Sequence, residues 1–333
     1  MRKLCFVLGL LTLALASLPL AGAAKQPASN LKGNVRVDGS STVFPITEAV
    51  GEEFQRLHSE VRVTVGISGT GGGFKRYVLG ETDINDASRP IKDSEMATAR
   101  EHGIESIELP VAFDGLSVMV NPSNTWVDHL TVDELKRIWQ AGSTVKTWAD
   151  IRPNWPAQKI TLYGPDTDSG TFDYFTEVIT GQGSCRADYT ASADDNVLVT
   201  GISGDKNALG YFGYAYYVEN KGKLKLVPID GGGGKGPVTP SETTINNGSY
   251  APLSRPLFIY VSKSAAARPE IQAFVKFYLE NAAQLASEVG YVALPQEAYT
   301  LAQKRFDARN TNCVFASDHA KGGKLSLAQL LGM

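Results

Sequence analysis

Three times along this chain, a β-strand pattern runs into a turn of glycine and hydroxyl residues and then into a helix pattern. The turns read GSSTVFP at 39–45, GISGTGGGF at 66–74 and DSGTF at 168–172. Strands that alternate with helices in this way predict an α/β protein. At 333 residues, the chain is long enough for a large core divided between two lobes.

The helix and strand patterns around these turns are regular. Apolar residues recur at helical spacing over 45–58, where Pro45 fits the first turn. Strands are predicted at 35–39, 61–67, 159–165 and 255–263, a strand ending in a loop at 82–91, one or two strands at 108–121 and a strand region at 207–218. Further helices are predicted at 130–140 and 269–290. The run GGGGKG at 231–236 predicts a flexible loop.

The N-terminus has the pattern of a secretory signal peptide. Arg2 and Lys3 precede an uncharged stretch at 4–24 that ends in Ala-Gly-Ala-Ala. We expect residues 1–24 to be removed after Ala23 or Ala24, so that the protein is secreted. The alternative is an uncleaved membrane anchor, because the apolar stretch is about long enough to span a bilayer.

Secretion bears on the cysteines. Once Cys5 leaves with the signal peptide, Cys185 and Cys313 remain in an oxidising compartment. We therefore predict a disulfide between them; the alternative is two separate thiols.

The composition and motifs argue against several classes of function. A net charge of −3 argues against nonspecific binding to nucleic acid, which needs a basic field. Metal-binding spacings such as HExxH or paired CxxC are absent from the sequence, and we expect no metal and no cofactor. We also expect no enzymatic activity, because none of the four histidines neighbours a glycine-flanked serine: His58, His102, His129 and His319.

The glycine and hydroxyl turns are suited to small anions. The first N–H groups of a helix lack partners within the helix, and the helix dipole places partial positive charge there. Serine and threonine add O–H donors, and glycine lets a ligand approach the backbone. One such turn is most simply an ordinary helix cap, but three together could surround an oxyanion with neutral donors. None has the spacing of a nucleotide-binding loop.

With these turns in view, the sequence resembles the secreted phosphate-binding protein of the bacterial phosphate ABC transporter. The motifs that carry the resemblance are VDGSSTVFPITEAVGEEF, GISGTGGGFKRY, DINDASRPI, GPDTDSGTFDYF, NALGYFGYAYY, SRPLFIYV and VGYVALP. The resemblance implies a type II periplasmic-binding-protein fold, with two α/β lobes, a two-crossover hinge and the ligand in the cleft. We expect lobe one at 33–115 plus 253–333 and lobe two at 116–252. It also implies a periplasmic monomer that delivers inorganic phosphate to the membrane permease subunits.

The resemblance assigns ligand residues to each turn. In the first turn these are Ser41, Thr42 and the Val43 backbone N–H, and in the second Ser68 and Thr70. In the third turn they are Ser169, Gly170 and Thr171. All are expected to donate hydrogen bonds to phosphate oxygens.

The chain departs from the best-known branch of that family at two positions. That branch has an Asp where this chain has Arg89, and an Arg where this chain has Pro165. We therefore expect Arg89 to bind the anion, with Ser88 as a weaker candidate.

The family's acid that accepts a hydrogen bond from the proton of hydrogen phosphate is then missing. The candidates to replace it are Asp168, Asp166 and Asp86. An acceptor of this kind would repel sulfate, which carries no proton. The alternatives are that Asp168 caps a helix, that Asp166 forms an Asx-turn, and that Arg89 pairs with an aspartate.

Other functions stay open on sequence alone. Sulfate or molybdate would suit the same neutral donors. A secreted phosphatase or adhesion protein could use the same fold, because a fold does not fix a function.

Overall fold

The computed structural model describes residues 31–167, 169–192 and 194–316. The predicted signal peptide, Asp168 and the end of the predicted lobe one lie outside these residues. In the part that is described, no helix has the length and apolar character needed to cross a membrane.

Strands and helices alternate along the described chain, as predicted for an α/β protein. The strands are β1 (Gly33–Gly39), β2 (Val61–Val65), β3 (Ile84–Ala87), β4 (Ser106–Val120), β5 (Leu130–Thr131), β6 (Thr161–Pro165), β7 (Thr190–Ser192), β8 (Ala208–Gly213), β9 (Lys225–Leu226), β10 (Ile229–Asp230) and β11 (Ser254–Ser262). The helices are α1 (Phe44–Leu57), α2 (Gly69–Tyr77), α3 (Asp93–Glu101), α4 (Val132–Trp139), α5 (Gly170–Phe175), α6 (Asp195–Gly204), α7 (Tyr214–Glu219), α8 (Glu242–Asn246), α9 (Pro269–Glu288) and α10 (Gln296–Asp307).

The main sheet has two parallel halves joined by two antiparallel strands. Its order is β2-β1-β3-β11-β4-β8-β6-β7, with β9 also paired to β4. Strands β1, β2 and β3 are parallel to one another, and so are β6, β7 and β8. Strand β4 is buried along all 15 residues: its first part pairs with β11, and its end pairs with β8. The β4–β11 pair therefore connects the halves.

Each half has its own aromatic packing. In the half that contains β1, the ring of Phe54 on α1 packs edge-on against Phe274 on α9, with centroids 5.4 Å apart. In the half that contains β8, Phe175 stacks on Tyr211 at 3.7 Å, and Trp139 packs edge-on against Tyr211 at 5.0 Å. Trp139, Trp148 and Trp155 are buried core residues.

The three glycine and hydroxyl turns all follow the carboxyl ends of parallel strands. Strand β1 leads to α1, β2 leads to α2, and β6 leads to α5. Because the carboxyl ends of neighbouring parallel strands lie at one edge of a sheet, the first two turns share an edge. The third turn lies at the corresponding edge of the other half.

One strand prediction was too long. The tyrosine-rich stretch 207–218 forms a strand only over Ala208–Gly213, and Tyr214–Glu219 forms α7. Aromatic residues favour strands, but this preference is weak and depends on packing. Tyr214 is only 8% exposed in its helix, where it is part of the hydrophobic core.

The disulfide prediction was wrong, since the structure forms no bond between Cys185 and Cys313. The thiol of Cys185 donates to the carbonyl of Arg186 at 3.3 Å. The thiol of Cys313 lies 3.8 Å from the carbonyl of Ser106, at the start of β4. An even number of cysteines does not bring two of them together when each packs in a different part of the fold.

A thiol titration tests this arrangement. Protein that lacks residues 1–24 retains only Cys185 and Cys313. Unfolded without reductant, it should show two titratable thiols per chain, whereas a value near zero would support the predicted disulfide.

The close packing of α2 provides a second test. A Cβ atom on Gly73 would lie 2.1 Å from Asn85 Oδ1 and 2.5 Å from Gly39 Cα, so only glycine fits. A Cβ on Gly71, in the same helix, would meet only Arg89 Nη2, at 3.8 Å. Gly73→Ala should lower the free energy of unfolding by about 1–3 kcal/mol through overpacking. Gly71→Ala should leave it unchanged or raise it by up to about 1 kcal/mol.

Urea denaturation of both variants measures this difference. Equal stability of the two variants would show that α2 does not depend on the glycine contact.

Candidate functional site

The first and third turns touch each other across the two halves of the sheet. A Cβ atom on Gly170 would lie 2.4 Å from Thr42 Oγ1 and 2.9 Å from Thr42 Cα. Only glycine allows the start of α5 to approach the first turn this closely. The contact brings two of the predicted anion-binding turns to one place.

The first turn presents its backbone without a side-chain cap. Val43 precedes α1 with no side-chain hydrogen bond, and Pro45 occupies the first turn of the helix. The N–H of Ser40 donates to the carbonyl of Asp86 at 3.0 Å, which fixes the turn to the end of β3. Thr42 is 3% exposed, and its N–H donates to Ser40 Oγ at 3.2 Å.

The second turn is bound to the first and to the end of β3. The N–H of Ser68 donates to the carbonyl of Gly39 at 3.1 Å, and its hydroxyl donates to Asp38 Oδ1 at 2.9 Å. Thr70 Oγ1 accepts from the N–H of Ser88 at 3.1 Å and lies 3.0 Å from Ser88 Oγ. Thr70 and Ser88 are thus in contact, and Ser68 directly precedes the helix that contains Thr70. The roles of these three residues as ligands stay predictions.

The third turn forms a helix cap. Ser169 Oγ accepts from the N–H of Thr171 at 3.2 Å. The carbonyl of Asp166 accepts from the N–H of Ser169 at 3.2 Å, and the N–H of Asp166 donates to Ser192 at 3.3 Å. The backbone of Asp166 therefore positions the start of α5, and its role as an acceptor stays a prediction.

Sequence reasoning missed Arg255, the cation at this boundary. It lies on β11 directly opposite Asp114 of β4. Its Nη2 lies 3.3 Å from Thr42 Oγ1 and 3.4 Å from Asp114 Oδ2. Its guanidinium carbon lies 3.7 Å from the ring centroid of Tyr174 on α5. A single side chain, 13% exposed, therefore contacts both halves.

The environment of Arg255 is strongly desolvated. Burial raises the pKa of the Asp114 carboxyl, although Arg255 acts to lower it. The sequence signal for Arg255 was an arginine within the otherwise apolar strand motif SRPLFIYV. The pairing of β11 with β4, which places this arginine at the boundary, could not be read from the motif.

Arg89, the predicted anion-binding cation, is held by another residue. Its guanidinium makes two hydrogen bonds to the carboxylate of Glu95, at 2.8 and 2.9 Å, and one to the carbonyl of Pro90 at 3.0 Å. It also lies over the ring of Phe74 at 5.5 Å. The predicted alternative, a salt bridge, is what the structure has, but the partner is a glutamate rather than an aspartate.

Asp86 does not join the hydroxyl residues of the site, and this corrects its predicted role as an acceptor. Its Oδ1 accepts from Thr47 Oγ1 at 3.0 Å, and that hydroxyl lies 3.0 Å from Tyr278 Oη. Successive strand residues face opposite sides of a sheet, and Asp86 faces α1 and α9. Burial raises the pKa of Asp86 well above its ordinary value.

Thr42 of the first turn, Gly170 of the third turn and Arg255 meet at the boundary between the halves. The second turn is tied to this region through the bond from Ser68 to Gly39. Among the described residues, no group of three or more histidine, cysteine, aspartate or glutamate side chains could hold a metal ion. Directional donors around one cation can bind an oxyanion without a metal.

Known proteins are similar to this chain in sequence and in fold. A model of the PBP superfamily domain matches residues 24–282. Protein SphX of Synechococcus elongatus is 50% identical over 315 residues, which cover 92% of this chain and 93% of that protein. The phosphate-binding protein PstS of Staphylococcus saprophyticus is 43% identical over 277 residues, which cover 83% of this chain and 85% of that protein.

Solved structures give the same result. A possible phosphate-binding protein from Planctomyces limnophilus matches with a TM-score of 0.81 and 50% identity, over 84% of this chain and 99% of that one. An ABC-type phosphate transport receptor from Vibrio cholerae matches with a TM-score of 0.62 and 24% identity, over 78% and 100% of the two chains. The second likeness concerns the fold alone.

The buried Asp86 provides a test by pH. Because its pKa is raised in the folded state, the folded protein keeps this proton over a pH range in which the unfolded chain has lost it. The free energy of unfolding should therefore fall as pH rises from the ordinary carboxyl value of 3.8 toward the raised pKa. Asp86→Asn should remove that part of the pH dependence.

Urea denaturation of the wild type and of Asp86→Asn between pH 4 and pH 8 measures this pH dependence of the free energy of unfolding. Parallel pH profiles for wild type and Asp86→Asn would contradict the raised pKa.

Proposed function

Because the chain belongs to the phosphate-binding proteins of the PBP superfamily, we propose that it binds inorganic phosphate with high affinity and delivers it to an ABC transporter. Its fold is the type II periplasmic-binding-protein fold, with two α/β lobes joined by two crossovers. The observation that carries the proposal is the meeting of Thr42, Gly170 and Arg255 at the boundary between the halves.

The proposed lobes follow from the pairing of the two long strands. Strand β11 pairs with β4 from Ser106 to Gly115, and β4 pairs with β8 from Leu116 onward. This pairing supports the predicted lobes, 33–115 plus 253–333 for lobe one and 116–252 for lobe two, as far as their residues are described; 317–333 lie outside the described residues. The hinge lies where β4 and β11 cross between the lobes.

The proposed phosphate ligands come from both lobes. Lobe one supplies Ser41, Thr42, the Val43 backbone, Ser68 and Thr70, and lobe two supplies Ser169, Gly170 and Thr171. The positive charge comes from Arg255 rather than from Arg89, because Glu95 already neutralises Arg89. A guanidinium in a desolvated site forms strong charge-assisted hydrogen bonds with phosphate.

Transport follows from the position of this site between the lobes. Phosphate makes contacts with both lobes only when they are closed, so binding favours the closed form. The closed, loaded monomer then docks on the permease subunits. The protein uses no cofactor and catalyses no reaction in this scheme, and it works in the periplasm after its signal peptide is removed.

Calorimetry tests the proposed function directly. The protein without residues 1–24 is unfolded and refolded free of phosphate, and is then titrated with phosphate and, separately, with sulfate. We expect tight one-to-one binding of phosphate and no heat from sulfate. Tight binding of sulfate would identify a receptor for another oxyanion. A native circular dichroism spectrum without any binding heat would reject an anion receptor.

Variants of the two arginines separate their proposed roles. Arg255→Met removes the cation of the site and should weaken phosphate binding by about tenfold to a hundredfold, the usual effect of losing a charged hydrogen bond. Arg89→Met should weaken binding by less than about threefold, since Glu95 already neutralises the charge of Arg89.

Arg255→Met leaves the buried Asp114 without its partner, so the double variant Arg255→Met/Asp114→Asn serves as the control for folding. A larger loss of phosphate affinity in Arg89→Met than in Arg255→Met would identify Arg89 as the cation that binds phosphate.

A further inference from the structure

The hydroxyl of Ser68 has an unusual partner for a residue that precedes a helix. Serine in this position ordinarily accepts a hydrogen bond from the helix backbone. Ser68 precedes α2 but makes no such bond. Instead its hydroxyl donates to Asp38 Oδ1 at 2.9 Å.

Both carboxylate oxygens of Asp38 accept hydrogen bonds or pair with a cation. The residue is 2% exposed, and its Oδ1 also accepts from the N–H of Gly39 at 2.7 Å. Its Oδ2 forms an ion pair with the guanidinium of Arg76. A carboxylate that binds an arginine can only accept hydrogen bonds, so the proton between Ser68 and Asp38 belongs to Ser68.

The backbone around Asp38 supports this orientation. A Cβ atom on Gly66 would lie 3.1 Å from Asp38 Cγ, so glycine lets the end of β2 run close to the carboxylate. The N–H of Ser68 is also committed, because it donates to the carbonyl of Gly39 at 3.1 Å. Both donors of Ser68 therefore point away from any ligand.

A hydroxyl whose proton is committed has only lone pairs to offer. Ser68 Oγ can then accept a hydrogen bond from the P–O–H group of hydrogen phosphate. It cannot donate to an unprotonated oxygen, and a sulfate oxygen in that position would meet another oxygen with no proton between them. A contact that penalises the wrong ligand gives selectivity.

We propose that Ser68, oriented by Asp38, is the group that recognises the proton of hydrogen phosphate and so excludes sulfate. The proposal rests on the proposed function and deepens it. It also changes the expectation that Ser68 donates to phosphate, and it gives a neutral oxygen the role that the sequence assigned to an aspartate. Asp38 acts here as a positioning residue, because its contact is with Ser68.

The test compares three anions on the phosphate-free protein. Hydrogen phosphate carries a double negative charge and one proton, whereas sulfate and monofluorophosphate carry a double negative charge without a proton. The affinity of each anion is measured by calorimetry, and weak binding by the rise of the melting temperature with anion concentration.

Ser68→Ala is the informative variant, because Ser68 is exposed and its loss should not disturb the core. It should weaken phosphate binding by about tenfold to a hundredfold, the usual effect of losing a hydrogen bond to a charged group. The affinities for sulfate and monofluorophosphate should stay the same or rise. Ser41→Ala is the matched control: it removes a proposed donor and should weaken all three anions in similar proportion.

Asp38→Ala tests the orientation itself. It removes the carboxylate that accepts from Ser68 and leaves the Ser68 proton free for an anion, so sulfate should bind more tightly relative to phosphate. A purely structural loss would lower both affinities and leave their ratio unchanged. Circular dichroism of each variant checks that the fold is intact.

Several outcomes would overturn the inference. One is an equal loss of affinity for all three anions in Ser68→Ala, which would make Ser68 a donor. Another is an unchanged affinity for all three anions in that variant. A third is relaxed sulfate rejection in Asp166→Asn/Asp168→Asn but not in Ser68→Ala, which would identify a carboxylate as the acceptor. Failure of the wild-type protein to bind phosphate would reject the proposed function itself, a result that needs no variant.

Discussion

The antiparallel pairing of β4 with β11 is the constraint on which the rest of the structure depends. These two strands connect the halves of the main sheet, and they place Arg255 directly opposite Asp114. A buried cation needs a nearby negative charge, because desolvation of an unpaired charge is costly. Asp114 supplies that charge at a long distance of 3.4 Å, while the guanidinium also reaches Thr42 and the ring of Tyr174. The arginine is therefore stabilised yet placed beside the Thr42 hydroxyl of one half and the Tyr174 ring of the other.

The parallel arrangement within each half explains why the hydroxyl turns meet. Strands β1 and β2 end at one edge, and β6 ends at the facing edge of the other half. Each strand is followed by a turn and then by a helix. Glycine at position 170 permits the backbone contact with Thr42 that brings the two edges together. Architecture and ligand chemistry thus depend on the same few residues.

Charge around the site is arranged in compensated pairs. Arg76 is bound to Asp38, Arg89 to Glu95, and Arg255 to Asp114. These pairs differ in what they leave available to a ligand. Glu95 makes two hydrogen bonds to Arg89, whereas Asp114 makes one long contact to Arg255. Asp38, through Ser68, fixes the direction of a hydroxyl group instead of offering a charge. Selectivity between similar anions can come from such fixed directions as well as from net charge.

The sequence by itself determined the α/β class, the long helices α1 and α9 and the three hydroxyl turns, because all of these depend on local periodicity and turn chemistry. It also singled out Thr70 and Ser88, which the structure brings into contact. Only the tertiary structure decided which charges belong to that site. Arg89 lies in a recognisable motif but packs against Glu95, and Asp86 faces α1 because of strand alternation. Arg255 and Asp114 are 141 positions apart and meet only through strand pairing. Cys185 and Cys313 do not meet, because each packs in a different part of the fold. The physical reason is that a side chain's partner depends on long-range pairing and packing, which local patterns do not specify.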